Sequence, residues 1–241
     1  WAHENLWLTN ERMRPPPERK ELELYYYALW GVDRALADKA ISRRAKIADK
    51  YHPMEPDHLL QDDEIVSIPG FDLKTIHTPG HCPDEVVYWQ EDLQVFFSGD
   101  HLLPDITPVC LTQMPRKIGD ERPRALSEYQ SSLAKVAPYP ARVTYPSHGA
   151  PITDHLELIK SYGLSTDRRL LKISRILEAG GPMTPMAVGK ELFPKAWEEQ
   201  IVPVMSEIIG HCDILEDEGH LAATEKNGII EYHYRSTPAP R

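Results

Sequence analysis

The chain has 241 residues, with 27 Lys and Arg against 37 Asp and Glu, so its formal net charge is −10. This charge argues against a basic nucleic-acid surface, and 41% hydrophobic with 27% charged residues indicates a globular protein rather than a fibrous or membrane protein. No apolar run approaches the roughly 18 to 20 residues of a membrane-spanning helix. Cys82, Cys110 and Cys212 form no C-x-x-C pair, which favours a reducing, cytoplasmic setting over a disulfide framework.

Residues 13–17 contain three consecutive prolines and are predicted to form a stiff connector. Apolar residues then recur at helical spacing over 18–51, which predicts one or two helices. Beyond Pro53 the pattern changes to short apolar or alternating runs bounded by Gly, Pro or Asp, which predict strands. The predicted strands lie at 64–68, 73–76, 86–89, 95–97 and 142–145, with a helix at 126–136.

Residues 104–124 carry four prolines and no periodicity, so a long surface loop is expected. Arg116, Lys117 and Arg122 in this loop could contact an anionic substrate or be solvated, and we favour the second role. Helical patterns return at 156–162, 168–177, 187–192 and 200–218. Asn227-Gly228 between two apolar runs predicts a hairpin, and helices followed by a ribbon are typical of a winged helix. The expected domains are therefore 1–154, a winged-helix-like 155–235, and a tail at 236–241.

Three predicted strands each end in a polar residue next to a glycine, so their side chains should reach one edge of a sheet. Two imidazoles and one carboxylate are suitable ligands for zinc, manganese or iron. The residues are His81 after Pro79-Gly80, Asp100 after Gly99, and His148 before Gly149.

Taken singly, each of these residues has a simpler explanation. A histidine beside glycine or proline is usually a hydrogen-bonded loop residue, and Gly-Asp after a strand is usually a turn or a helix cap. His77 and His81 have the i, i+4 spacing of a helical metal pair, but Pro79-Gly80 between them excludes that helix. His101 is at most a neighbour of a ligand rather than a ligand itself.

Together, H-T-P-G-H at 77–81, F-S-G-D-H at 97–101 and Y-P-S-H-G at 145–149 resemble signature motifs of the metallo-β-lactamase fold hydrolases, in the same order. The region after residue 155 is similar to a subgroup with a C-terminal winged-helix extension. The resemblance implies an α/β fold, an αββα sandwich with that small domain added. It also implies that His81 binds one metal, Asp100 bridges two, and His148 binds the second.

The resemblance further implies an H-x-H-x-D-H motif before these three, and no such string occurs in this sequence. We therefore expect the chain to be the C-terminal part of a longer hydrolase, with an incomplete sandwich. A natural family member that has lost the motif is the alternative. Because a zinc ion needs three or four protein ligands, the chain as given should bind metal weakly and show little hydrolysis.

The implied function is hydrolysis of an ester, thioester, lactone or amide-like bond by a metal-bound hydroxide. The implied cofactor is a divalent metal, two zinc ions in the intact protein, with iron or manganese as alternatives. The expected partner is a small acyl, thioester or lactone substrate, with no membrane and with self-association left open. A non-enzymatic binding protein built on a decayed hydrolase fold is the alternative function.

A winged helix also invites a DNA-binding function, and charge argues against it. Residues 155–241 carry 13 acidic and 10 basic residues, and 198–220 have seven acidic residues and no Lys or Arg. Phosphate would repel a recognition helix of that composition. We therefore expect no DNA partner.

Overall fold

A computed structural model gives the fold of residues 1–13, 15–16, 18–48, 50–53 and 55–236. Parts of the predicted connector, Arg14 and Pro17, and of the predicted tail, 237–241, lie outside these residues. No helix among the described residues combines the length and the apolar character needed to cross a membrane.

The chain divides into two compact units, each assembled from separate stretches of sequence. The first unit contains Trp1–Arg12, Pro53–Cys110 and Ala125–Ser165, and the second contains Met13–His52, Leu111–Arg124 and Thr166–Arg241. The domain boundary expected between residues 154 and 155 stays a prediction.

The first unit has an α/β arrangement whose strands follow the predicted runs closely. Its short elements are β1 (Ala2–His3), α1 (Leu6–Met13) and β2 (Leu59–Leu60). Its sheet strands are β3 (Ile65–Ile68), β4 (Phe71–His77), β5 (Val86–Gln90), β6 (Val95–Gly99) and β7 (Val143–Pro146). Helix α4 (Ala125–Val136) precedes β7, and α5 (His155–Gly180) begins in this unit.

The five-stranded sheet has the order β3-β4-β5-β6-β7, and successive strands from β3 to β6 are antiparallel. Strand β7 pairs parallel to β6, with Phe97 opposite Tyr145 and Gly99 opposite Pro146. Parallel neighbours end at the same edge of a sheet, so the residues after β6 and after β7 emerge together. This register places Asp100 beside 147–148.

One face of the sheet packs against α4 through a fully buried apolar cluster. Trp89 and Phe96 have ring centroids 4.8 Å apart, and the ring of Tyr139 covers both. Burial of such large side chains is the main favourable term in stabilising a sheet against a helix. The cluster consists of Ile76, Val87, Trp89, Phe96 and Val136.

The opposite face of the sheet is also apolar, but its side chains are largely exposed. Phe71, Phe97 and Tyr145 each leave more than two fifths of their surface accessible. A depression of about 290 Å³ on this face is lined by Ile68, Phe71, Leu73, Tyr88, Gln90, Leu93, Val95 and Phe97. Alternation along each strand therefore puts apolar residues on both faces.

The second unit is mainly helical. Its elements are α2 (Arg19–Leu29), α3 (Arg34–Ala48), the C-terminal part of α5, α6 (Pro185–Leu192), α7 (Ile201–Asp217), β8 (Leu221–Lys226) and β9 (Ile229–Tyr234). The two helices predicted at 156–162 and 168–177 are wrong as separate elements, because α5 runs unbroken through both. Gly163 meets no crowding there, and a single glycine costs a helix only about 1 kcal/mol.

Apolar side chains of α7 are buried in a single core with residues of α2, α3 and α6. Thr184 caps α6, its hydroxyl accepting the N–H of Ala187 at 3.2 Å, with Pro185 in the first turn. The predicted hairpin is confirmed: β8 and β9 are antiparallel, and Asn227 and Gly228 both have positive φ. That these elements form a winged helix stays a prediction.

Candidate metal centre

The three predicted ligands lie in turns that follow β4, β6 and β7. Nε2 of His81 is 3.6 Å from Oδ2 of Asp100, and Nε2 of His148 is 3.7 Å from Oδ1 of the same carboxylate. The structure therefore brings all three residues together, with Asp100 in the centre and one imidazole at each of its oxygens.

The ring of His81 is oriented by the main chain. Its Nδ1 lies 2.8 Å from the carbonyl oxygen of Val109, which can only accept, so Nδ1 carries the proton. In the neutral ring this hydrogen bond leaves Nε2, the atom nearest Asp100, with a free lone pair. A histidine held in this way is prepared to bind a metal through Nε2.

The turn that carries His81 depends on Gly80, whose φ is +141°. A Cβ at this position would lie 2.6 Å from Cα of Tyr129, in the backbone of α4. Only glycine therefore allows the turn to approach the helix this closely. Ser132 of α4 holds the same turn, donating its hydroxyl to the carbonyl of Pro79 at 2.8 Å.

Asp100 is fixed by contacts to both its main chain and its side chain. Its backbone N–H donates to Oε1 of Glu85 at 2.8 Å, and the hydroxyl of Ser147 donates to its Oδ1. Burial raises the pKa of Glu85 to about 7, against the opposing effect of His81. The side chain of His148 is 75% exposed and that of His81 only 24%, so the centre opens to solvent on the His148 side.

His101, expected to neighbour a ligand, is completely buried. Its ring meets that of Tyr129 edge to face at 5.2 Å, and its backbone carbonyl accepts the hydroxyl of Tyr129 at 2.8 Å. Burial lowers the pKa of His101 to about 3, against the opposing effect of the Ser132 backbone. His101 is thus neutral and buried directly after Asp100, and its role beside a ligand stays a prediction.

The chemistry of this donor set fits a divalent metal, because imidazole nitrogens and carboxylate oxygens are the ligands that zinc, iron and manganese accept. Among the described parts of the chain, no three His, Cys, Asp or Glu side chains are close enough to hold a single ion. The arrangement instead offers two pairs that share Asp100. Two donors for each ion fall short of the three or four usual at a zinc site.

Sequence reasoning missed Glu85 and Ser147, which hold Asp100 in place. Ser147 lies inside the quoted motif directly before His148, so its position was available as a signal. Glu85 follows a loop of varied composition and carries no local signal. Only the pairing of β5 with β6 shows that its side chain reaches Asp100.

Residues 5–148 match the family model described as the metallo-beta-lactamase superfamily. The chain is 33% identical over 143 residues to "Probable metallo-hydrolase YqjP" of Bacillus subtilis, which covers 59% of this chain and 44% of that protein. It is 26% identical over 137 residues to "Atrochrysone carboxyl ACP thioesterase" of Aspergillus fumigatus, covering 57% of this chain and 38% of the relative. The chain thus spans about half the length, or less, of these relatives.

Solved structures share the fold. The metallo-beta-lactamase family protein TTHA1429 of Thermus thermophilus superposes with a TM-score of 0.80 at 22% identity, covering 98% of this chain and 71% of that one. A similarity at this level of identity shows a common fold and nothing about substrate.

Proposed function

Since this chain belongs to the metallo-beta-lactamase superfamily, we propose that it is the part of a metal-dependent hydrolase that contributes His81, Asp100 and His148 as metal ligands. The single observation that carries the proposal is the position of Asp100 between the two imidazoles, one at each carboxylate oxygen. In this assignment His81 holds one metal, His148 holds a second, and Asp100 contacts both. Zinc is the expected metal, with iron or manganese as alternatives.

A divalent metal, when bound, supplies Lewis-acid chemistry: it polarises the scissile carbonyl and lowers the pKa of water. The residues of this chain would position the metal. The carbonyl of Val109 orients the ring of His81 through Nδ1, while Ser147 holds the side chain of Asp100 and Glu85 holds its main chain. The exposed ring of His148 marks the side from which a substrate would approach.

The proposed substrate class is a small acyl ester or thioester. Support comes from the relatives, one named a metallo-hydrolase and one a thioesterase of a carboxyl-ACP. The chain by itself, with two donors for each ion, should bind metal weakly and hydrolyse slowly.

The test is a Zn²⁺ titration of the full chain by calorimetry, together with hydrolysis of an S-acyl N-acetylcysteamine thioester. We expect weak binding that His81→Ala and His148→Ala each reduce further, and thioester turnover at or near the background rate. His233→Ala is the matched control, because His233 lies in the β8–β9 ribbon and bonds Thr224. Two tightly bound ions would contradict the partial ligand set, and unchanged binding in both ligand variants would refute the ligand assignment.

A further inference from the structure

Glu85 connects the two turns that carry His81 and Asp100. It is the last residue before β5, and its backbone carbonyl accepts the N–H of Thr78 at 2.9 Å, closing the loop that contains His81. Its side chain leaves this loop, and Oε1 accepts the backbone N–H of Asp100 at 2.8 Å. One residue therefore bonds both turns, through its main chain on one side and its carboxylate on the other.

The geometry points to Glu85 as a positioning residue, whose carboxylate fixes the backbone of Asp100 relative to the loop of His81. The inference rests on the proposed function, since it matters for chemistry only if these two residues hold a metal. The bond from the main-chain N–H of Asp100 to Oε1 of Glu85 joins the two turns directly, so it can hold the Asp100 turn in one position.

The turn before Asp100 is shaped to admit this carboxylate. Gly99 has a φ of +55°, and a Cβ there would lie 3.1 Å from Oε1 of Glu85. That separation is tighter than an ordinary contact, so a side chain at residue 99 would press on the Glu85 carboxylate. The glycine of the F-S-G-D-H motif thus leaves room for both the turn and its bonding partner.

The bond that closes the His81 loop does not explain why residue 85 is a glutamate. The backbone of any residue at position 85 could accept the N–H of Thr78. The side chain adds the bond to Asp100, and it does so at a cost, because Oε2 is buried without a hydrogen-bond partner among the described residues. The carboxylate is therefore expected to act on Asp100, and a variant that keeps only the acceptor should keep that action.

The direct test is amide hydrogen exchange, measured by NMR on the full chain without metal. In Glu85→Ala the amide of Asp100 should exchange about tenfold faster or more, whereas Glu85→Gln, which keeps Oε1, should stay close to the unmodified chain. Glu64→Ala is the matched control: Glu64 also accepts a main-chain N–H through its carboxylate, from Gln61 at 2.8 Å. That variant should leave Asp100 unchanged.

The second readout is the affinity for Co²⁺, which is measured from the NMR shifts of the His81 and Asp100 signals during a titration. Glu85→Ala should weaken Co²⁺ binding about tenfold or more, while Glu85→Gln and Glu64→Ala should leave it unchanged. An unchanged Asp100 exchange rate in a folded Glu85→Ala chain would overturn the inference, as would Gln behaving like Ala. Glu85→Ala could lose protection from amide exchange throughout β5. In that case the exchange rate of the Asp100 amide is compared in Glu85→Asp instead, because its shorter side chain does not reach Asp100.

The two proposals fail in different ways. If Co²⁺ moves neither the His81 nor the Asp100 signal in the unmodified chain, the proposed metal centre is wrong. The exchange rate of the Asp100 amide still decides whether Glu85 fixes that turn. If Co²⁺ binds at His81 and Asp100 with equal affinity in all variants, the centre stands and the positioning role of Glu85 is refuted.

Discussion

The imidazole rings of His3 and His77 lie stacked, with centroids 3.6 Å apart and planes within 10° of each other. His3 is buried, and its Nδ1 accepts the N–H of Asn5 at 3.2 Å. Nε2 of His77 lies 2.9 Å from the carbonyl of Pro83, in the loop that follows His81. The N-terminal strand β1 is thereby joined to that loop.

Burial, and then the proximity of His77, lower the pKa of His3. The folded state therefore binds a proton at His3 less readily than the unfolded state does. The contribution of His3 to stability is complete above the unfolded pKa near 6.5 and is lost as pH falls through that value toward the folded pKa. His3→Phe, which keeps a ring in the stack but cannot titrate, should reduce the fall in the free energy of unfolding between about pH 7.5 and 5.5.

Urea unfolding at a series of pH values measures this slope. Replacing the exposed His52 by Phe provides the control, and its slope should match that of the unmodified chain. A His3→Phe variant with the original slope would contradict the assignment of this pH dependence to His3.

Gly80→Ala should be among the most destabilising single changes in the first unit. The added Cβ would lie 2.6 Å from Cα of Tyr129, and the positive φ of +141° disfavours any side chain. We expect a loss of about 3 kcal/mol in the free energy of unfolding, combining backbone strain with overpacking. Chemical denaturation measures it.

Gly70→Ala separates the two causes of this loss. Gly70 also has a positive φ, +88°, but a Cβ there would meet nothing within 4 Å. Its loss should be about 1 kcal/mol, from strain alone. Equal losses in the free energy of unfolding of the two variants would mean that the close contact with Tyr129 contributes nothing to the loss.

Tyr162→Phe should destabilise the loop that follows Asp100. The Tyr162 hydroxyl accepts the N–H of Leu103 at 2.9 Å and donates to the carbonyl of the same residue at 2.5 Å. Removal leaves two buried main-chain groups unpaired, at a cost of about 1 to 3 kcal/mol. Thermal unfolding measures the loss, and a melting temperature equal to that of the unmodified chain would show that water replaces the hydroxyl.

Arg122→Ala should destabilise the second unit in a pH-dependent way. Arg122 lies 2.5 Å from the carboxylate of Asp213, and both side chains are largely buried. Burial raises the pKa of Asp213, and Arg122 opposes that rise. Without the guanidinium, a buried carboxylate is left unpaired, a loss of roughly 3 kcal/mol at neutral pH.

The sign of the pH effect follows from the direction of the pKa shift. A raised folded pKa means that the contribution of Asp213 is complete below its unfolded pKa and is lost as pH rises through the folded value. The variant should therefore lose less stability at pH 5 than at pH 8. Arg122→Ala combined with Asp213→Asn should recover most of the loss at pH 8, and a loss independent of pH would contradict this account.

The sequence predicted the strands around the centre well, because each is a short run of apolar residues ended by Gly, Pro or Asp. The same feature predicted which residues meet, since His81, Asp100 and His148 all follow strand ends. Long-range pairing could not be predicted. The expectation that Arg122 is solvated is wrong, because its guanidinium is largely buried and bonds Asp213 on α7, far away in sequence.

The two-residue strands β1 and β2 and the unbroken helix α5 were also not predicted from the sequence. Strands β1 and β2 have two residues each, too few for any periodicity, and they exist because Ala2 and His3 pair with Leu59 and Leu60. The break expected within α5 did not occur because neither Gly163 nor its neighbours remove a backbone donor, as a proline would.

The parallel pairing of β6 with β7 has a consequence for the order of folding. Strands β3 to β6 are joined by connections of at most eight residues, whereas β7 can pair with β6 only after residues 100–142, including α4, have crossed over. Closing so long a loop costs entropy before any contact repays it. His81 and Asp100 should therefore come together early in refolding, and His148 should join them last, when β7 docks on the sheet.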